Sequence, residues 1–230
     1  MGLTNRSLIM CSCTDDGLLL KPSYPATPID AYFSRRARLP GVEGPNGELY
    51  ATYTTLKGAQ PYTVAHILAM DLAQPYTLRL AGEVPQLSTL VGDGASFFVW
   101  ETDTANCGGA AIRQVTAGVR EVGVPSCAKA DFRVLHAATA IDCGDRACAL
   151  LGEAKWVPVS EQRFASLSLA ADGLAVQVSG SPGESVQVRF ARAERGLNVV
   201  AEVLAAACVL PASGRAVAFS NGTCADSSAE

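Results

Sequence analysis

The chain has 230 residues, 49% of them apolar and 17% charged, with a net charge of −4, enough to bury a core in one large domain or two small ones. No apolar run reaches the roughly 18 residues that a membrane-spanning helix needs. The acidic balance, with a single short basic cluster at Arg35-Arg36-Ala37-Arg38, argues against nucleic acid as a partner.

In chain order, the opening "MGLTNRSLIMCSC" has neither an apolar stretch of signal-peptide length nor a small-residue cleavage site. Either a leader has been removed or this is a fragment of a longer secreted chain, and the fragment is the expectation. Cys11 and Cys13 are alternate residues of an extended segment, ~6.5 Å apart by strand rise, and so should seek separate partners. Leu49, Ala51, Tyr53 and Thr55 alternate within "ELYATYTTLK", and "YTVAHILAMDL" follows across Gly58-Ala-Gln-Pro61, which predicts a β-hairpin. Further strands are predicted in "YTLRLAG", "SFFVWETD", "AAIRQVT" and "DFRVLHAAT", separated by Pro85, Gly92-Asp-Gly94 and Gly108-Gly109.

From Ser166 onward the apolar period is two: Leu174, Val176, Val178; Val186, Val188, Phe190; Val199, Ala201, Val203; Val217, Phe219. Glycine or proline separates these runs, at Ala171-Asp-Gly173, Gly180-Ser-Pro-Gly183, Ala193-Glu-Arg-Gly196 and Ala212-Ser-Gly214. The alanine-rich stretch "NVVAEVLAAACVL" has a helix as its alternative, and its first half is read as strand. The fold class expected is all-β: an antiparallel sandwich of roughly ten strands in two packed sheets. Residues 1–150 would form a sandwich part with the long hairpin, and 151–230 a five-strand meander that completes or extends it.

Eight cysteines and two sequons, Asn5-Arg-Ser7 and Asn221-Gly-Thr223, lean towards an oxidising, secretory compartment. The local pairing candidates are Cys208 with Cys224, Cys143 with Cys148, and Cys107 with Cys127. The first is favoured, because Ala212-Ser-Gly214 would fold the two flanking strands into a final hairpin. No paired C-x2-C sets occur and the only imidazoles are His66 and His136, so no metal or other cofactor is expected.

For chemistry, His66 shares a strand face with Val64 and Leu68, and His136 sits two residues from Val134. Both read first as satisfied core or interface histidines, and second as the base of a small hydrolase. Trp100, Trp156 and Tyr62 are candidates for a sugar-stacking surface, weighed against plain burial in the core. Neither glycine-rich stretch, "GDGAS" nor "CGG", opens a helix after a strand as a phosphate cradle requires.

Four stretches carry a resemblance: "LLLKPSYPATPID" (18–30), "GPNGELYATYTTLKG" (44–58) leading into "HILAMDLAQPYTL" (66–78), and "ALLGEAKWVPVSEQRF" (149–164). Together they resemble the C-terminal β-sandwich of glycoside hydrolases of the α-galactosidase and raffinose-synthase group. The resemblance implies a non-catalytic module that supports a (β/α)8 barrel outside these residues, so it carries over no catalytic residue. It also implies that "KWVPVSEQRF" is a junction, with Trp156 between sheets and Pro158 stopping a strand. The partner would then be the catalytic domain of the same parent chain. The alternatives are an autonomous secreted module that binds carbohydrate or mediates adhesion, and the small hydrolase using His66 or His136.

Overall fold

The computed structural model describes residues 18–19, 27–28, 48–58, 62–70, 72–79, 96–102, 112–115, 121–127, 132–155, 157–171, 173–195 and 201–227. Among them every regular element is a strand. In chain order they are β1 (Leu18–Leu19), β2 (Thr27–Pro28), β3 (Glu48–Gly58), β4 (Tyr62–Met70), β5 (Tyr76–Arg79) and β6 (Phe97–Thr102). Next come β7 (Arg113–Val115), β8 (Glu121–Val124), β9 (Phe132–Thr139), β10 (Ile141–Asp142), β11 (Arg146–Gly152) and β12 (Phe164–Ala170). The last are β13 (Gly173–Ser179), β14 (Ser185–Glu194), β15 (Glu202–Val209), β16 (Arg215–Phe219) and β17 (Cys224–Asp226).

The all-β, sandwich-like class is as expected. One sheet has nine strands in the order β17-β16-β13-β12-β3-β4-β9-β6-β7, and a second has four in the order β10-β11-β14-β15. Two-stranded ribbons, β1-β2 and β5-β8, complete the set. Pairing is antiparallel throughout except where β12 meets β3, through Ser166 opposite Lys57 and Leu167 opposite Gly58. That short parallel splice joins two antiparallel halves into one sheet. The β3–β4 hairpin is present in the predicted place, with a continuous register from Leu56 opposite Tyr62 to Glu48 opposite Met70.

Strand burial departs from simple alternation at β4 and β11. Every residue of β4 from Tyr62 to Ala69 is buried. Tyr62 and Val64 join Phe98, Trp100, Ala138 and the strands of the four-stranded sheet in one cluster. Ala65, Ile67 and Ala69, on the opposite face, join Leu78 of β5 and Val122 and Val124 of β8 in another. β11 is likewise buried from Ala147 to Gly152 and packs against both β9 and β13. A strand covered on both faces reads as a near-continuous apolar run, as "ALLG" and "YTVAHILAM" do.

Gly152 ends β11 with φ 72°, at a bulge in the β11–β14 register between Leu150 and Gly152. The chain then leaves the four-stranded sheet and enters the nine-stranded one at Phe164. This handover is held by Glu153 N–H donating to the Pro158 carbonyl oxygen (2.9 Å) and by Arg163. The Arg163 guanidinium donates to Glu153 (3.1 Å), to the Ser179 carbonyl (2.8 Å) and to Glu184. Its charge and hydrogen bonds draw the Glu184 carboxyl down to about 2. Pro158 and Val159 are buried in the loop, so the junction reading of "VPVSEQRF" holds as architecture, while Trp156 lies outside the described residues.

The five-strand meander expected for 151–230 is not one sheet. β12, β13, β16 and β17 belong to the nine-stranded sheet, whereas β14 and β15 pair onto β11. The turns at 180–184 and 210–214 each carry the chain across the core rather than back alongside itself, so strands from both sides of residue 150 share both sheets. Two inward faces also differ from the reading of the sequence. In β15 the buried residues are Ala206 and Cys208 while Val203 is 47% exposed, and in β16 Ala216 and Ala218 are buried while Val217 and Phe219 are only partly so. Small residues face inward here, where period-two hydrophobicity favoured the larger ones. The strand in the alanine-rich stretch covers Glu202–Val209, and residues 198–200 lie outside the described residues.

Cys208 and Cys224 are disulfide-bonded, with Cα atoms 5.6 Å apart. The bond crosses between the sheets, β15 to β17, because β15 and β16 are not ladder partners. The favoured pair is thus bonded, but across the core and not within a final hairpin. Cys127 is also disulfide-bonded, whereas Cys143 and Cys148 are free thiols. Cys11, Cys13 and Cys107 lie outside the described residues.

Two outcomes follow for stability. With its ends 16 positions apart in the sequence, loss of the bridge in Cys224→Ser should cost about 3 kcal/mol in urea unfolding. In Gly152→Ala the added Cβ would overlap the Pro158 carbonyl at a left-handed backbone position, and a loss of about 2–3 kcal/mol is expected by the same measurement.

Candidate functional site

The densest group of chemistry-bearing side chains lies where β4, β9 and β6 run side by side. The register sets His66 opposite His136, and His136 opposite Trp100, so the three rings form a row across the sheet. The two Nδ1 atoms are 2.9 Å apart. Outward from them, His66 Nε2 is 3.2 Å from Thr54 Oγ1, and His136 Nε2 is 2.7 Å from Thr102 Oγ1. The row Thr54–His66–His136–Thr102 is thus a continuous hydrogen-bonded chain, and it closes with both rings neutral. One Nδ1–H donates to the other Nδ1, and each threonine hydroxyl takes whichever role remains.

Burial enforces that state. Both histidines are buried, and loss of solvent pushes the His66 imidazole down to about 4. His136 is held well below the ordinary value, first by burial, then by the neighbouring His66 and by the charge of Arg189. Trp100 lies over the His136 ring, with centroids 5.1 Å apart at 36°. Arg189, on β14 of the facing sheet, donates from Nη2 to the Glu153 carbonyl oxygen at 3.0 Å. Among the described residues, Trp100 Nε1 and Arg189 Nε are buried donors with no hydrogen-bond acceptor, and desolvation lowers the pKa of Arg189.

Two of the nominated aromatic residues, Trp100 and Tyr62, are not presented to solvent. Trp100 is 3% exposed and Tyr62 is fully buried. The Tyr62 hydroxyl donates to the Leu150 carbonyl oxygen at 2.7 Å, which ties β4 to β11 across the core. A sugar-stacking face needs an open ring, and packing between the sheets closes both of these. Trp156 lies outside the described residues. The histidines match the first reading given to them, that of satisfied core groups. Their partners Thr54, Thr102 and Arg189 were not singled out from the sequence. The hairpin register could have placed Thr54 beside His66, but the 70-residue separation of the two histidines left no local signal of their meeting.

As chemistry, the row offers little to a substrate. Its ring nitrogens face one another or a threonine hydroxyl, and the gap between the Nδ1 atoms is too short for a metal bound at ~2.0–2.1 Å from each in tetrahedral geometry. Among the described residues no group of three or more His, Cys, Asp or Glu side chains is placed to hold a metal ion. Nor is any helix long and apolar enough to cross a membrane. No protein-family model, curated protein or solved structure matches this chain.

The buried pair should make stability pH-dependent. A ring whose pKa is lowered by folding binds fewer protons folded than unfolded. Its contribution is therefore complete above the unfolded value of 6.5 and is lost as pH falls from there towards about 4. The loss should reach on the order of 3 kcal/mol from His66 alone. Urea unfolding from about pH 8 to about pH 4.5 should be flat above neutrality and decline below it. His66→Gln should flatten the decline, and an unchanged slope would assign it to other groups.

Proposed function

We propose that this chain is a non-catalytic β-sandwich module of an exported carbohydrate-active enzyme, supporting a catalytic barrel carried elsewhere in the parent protein. The observation that carries the non-catalytic half is the closure of the His66–His136 row. Both imidazoles spend their nitrogens on internal hydrogen bonds and are buried, so neither is available as a base to a bound substrate. The carbohydrate half rests on the resemblance of the four quoted stretches alone.

The exported reading draws support from the Cys208–Cys224 and Cys127 disulfides, since such bonds persist in oxidising compartments. Asn221, the acceptor of the second sequon, is exposed in the turn before β17, where its Oδ1 accepts from Thr223 N–H and Oγ1–H at 3.1 and 2.7 Å. A supporting role fits the outward face of β15, where Val203 and Val209 are 47% and 70% exposed, an apolar stripe suited to contact with the rest of the parent.

Three measurements test this reading. The purified chain should turn over neither aryl α-galactosides nor raffinose-type sugars, and turnover that disappears in His136→Gln would overturn the proposal in favour of the hydrolase. A glycan array should show no specific binding. Binding lost in Trp156→Ala with the fold intact would make this an autonomous carbohydrate-binding module instead. The parent reading frame should run into a (β/α)8 barrel, and a frame holding no such barrel removes the enzyme from the proposal.

A further inference from the structure

Cys143 and Cys148 are free thiols, whereas Cys127, Cys208 and Cys224 are bonded. The two lie on the β10–β11 hairpin, where Ile141 stands opposite Cys148 and Asp142 opposite Ala147. Cys143 N–H continues that ladder by donating to the Arg146 carbonyl oxygen at 2.9 Å. Cys143 and Cys148 therefore share a face, one diagonal step apart, and each thiol is the largest single influence on the other's pKa. Cys143 is half-buried and Cys148 is buried. Directly across the ladder from Cys148 is Arg192 of β14, whose guanidinium pairs with Glu202 at 2.8 Å.

We propose that Cys143 and Cys148 are a reactive dithiol site that takes small-molecule disulfides as its substrate class and closes reversibly into a cross-hairpin disulfide. The neighbouring Cys143 thiol lowers the pKa of the Cys148 thiol, helped by the charges of Arg192 and Arg146, and Cys148 in turn raises that of Cys143. The first proton released to solvent thus leaves a Cys148 thiolate beside the Cys143 thiol. Transfer of the Cys143 proton to Cys148 moves the thiolate to Cys143, the sulfur nearer solvent. Cys143 attacks one sulfur of the disulfide RSSR, a Cys143–SR bond forms, and RS⁻ leaves and takes the proton from Cys148. The Cys148 thiolate then attacks Cys143 Sγ, forms the protein disulfide and expels a second RS⁻, which is protonated from solvent. Two protein thiols are oxidised by two electrons and RSSR is reduced to two RSH.

The site is tested on the full chain with oxidised glutathione as the probe, followed by alkylation and non-reducing trypsin mapping. Arg146 lies between the two cysteines, so cleavage there separates them unless a disulfide joins the peptides. The expected result is a joined pair that mild dithiothreitol opens in the folded protein while Cys208–Cys224 stays closed. In Cys148→Ser the reaction should stop at a stable glutathione adduct on Cys143, and in Cys143→Ser the adduct should be lost. A bridge already present in freshly purified protein and opened by mild reductant also supports the couple. The proposal is overturned by separate peptides alkylated at both cysteines, by a wild-type adduct that persists on Cys143, or by a bridge that opens only on unfolding. The wild-type mapping decides the matter even where a variant fails to fold.

Discussion

The fold depends on one demand, the burial of β11 on both faces. A strand so placed cannot alternate polar and apolar residues, and its backbone must be fully paired, since no water reaches it. β10 and β14 supply the ladder partners on its two edges. β9 and β13, from opposite halves of the nine-stranded sheet, supply the packing. The parallel splice between β12 and β3 keeps those halves continuous. The Tyr62 hydroxyl on the Leu150 carbonyl and the Arg163 clamp at the exit from β11 fix this strand relative to the sheet around it.

Within that apolar setting the histidine row is a polar inclusion that has to satisfy itself. Imidazole suits the task because each neutral ring offers one donor and one acceptor, so a chain of two rings and two hydroxyls closes without a formal charge. Arg189 meets the same interior without a carboxylate on its guanidinium among the described residues, and it makes protonation of the nearby His136 still less favourable. The cluster therefore acts in the fold as a set of mutual constraints on register. Slipping β4 against β9 by one residue would turn His66 to the opposite face and leave His136 Nδ1 without its partner.

The strands were legible where one face is apolar and the next polar. Leu174, Val176 and Val178, and Val186, Val188 and Phe190, are all buried as the pattern required, and the β3–β4 hairpin followed from its turn. Sheet membership was not legible. Nothing in "SPGE" or "PASG" distinguishes a turn that returns along the same sheet from one that crosses the core, because both need the same backbone freedom. The inward faces of β15 and β16 escaped notice because alanine fills tightly packed positions at which hydrophobicity alone would place valine or phenylalanine. Of the candidate site, the identity of the histidines was visible and their meeting was not, since it arises from long-range pairing.

The disulfide between β15 and β17 has a mechanical consequence. Among the described residues β17 is held to the nine-stranded sheet by pairing with β16 alone, over three residues. Tension applied at the C-terminal end would ordinarily peel such a short edge strand away ladder by ladder. With Cys224 bonded to Cys208, the load passes covalently into β15, which is paired with β14 over eight residues in the other sheet. The chain beyond Cys224 is thus anchored in both layers at once, and a cut in the intervening turn or in β16 would leave the two pieces joined.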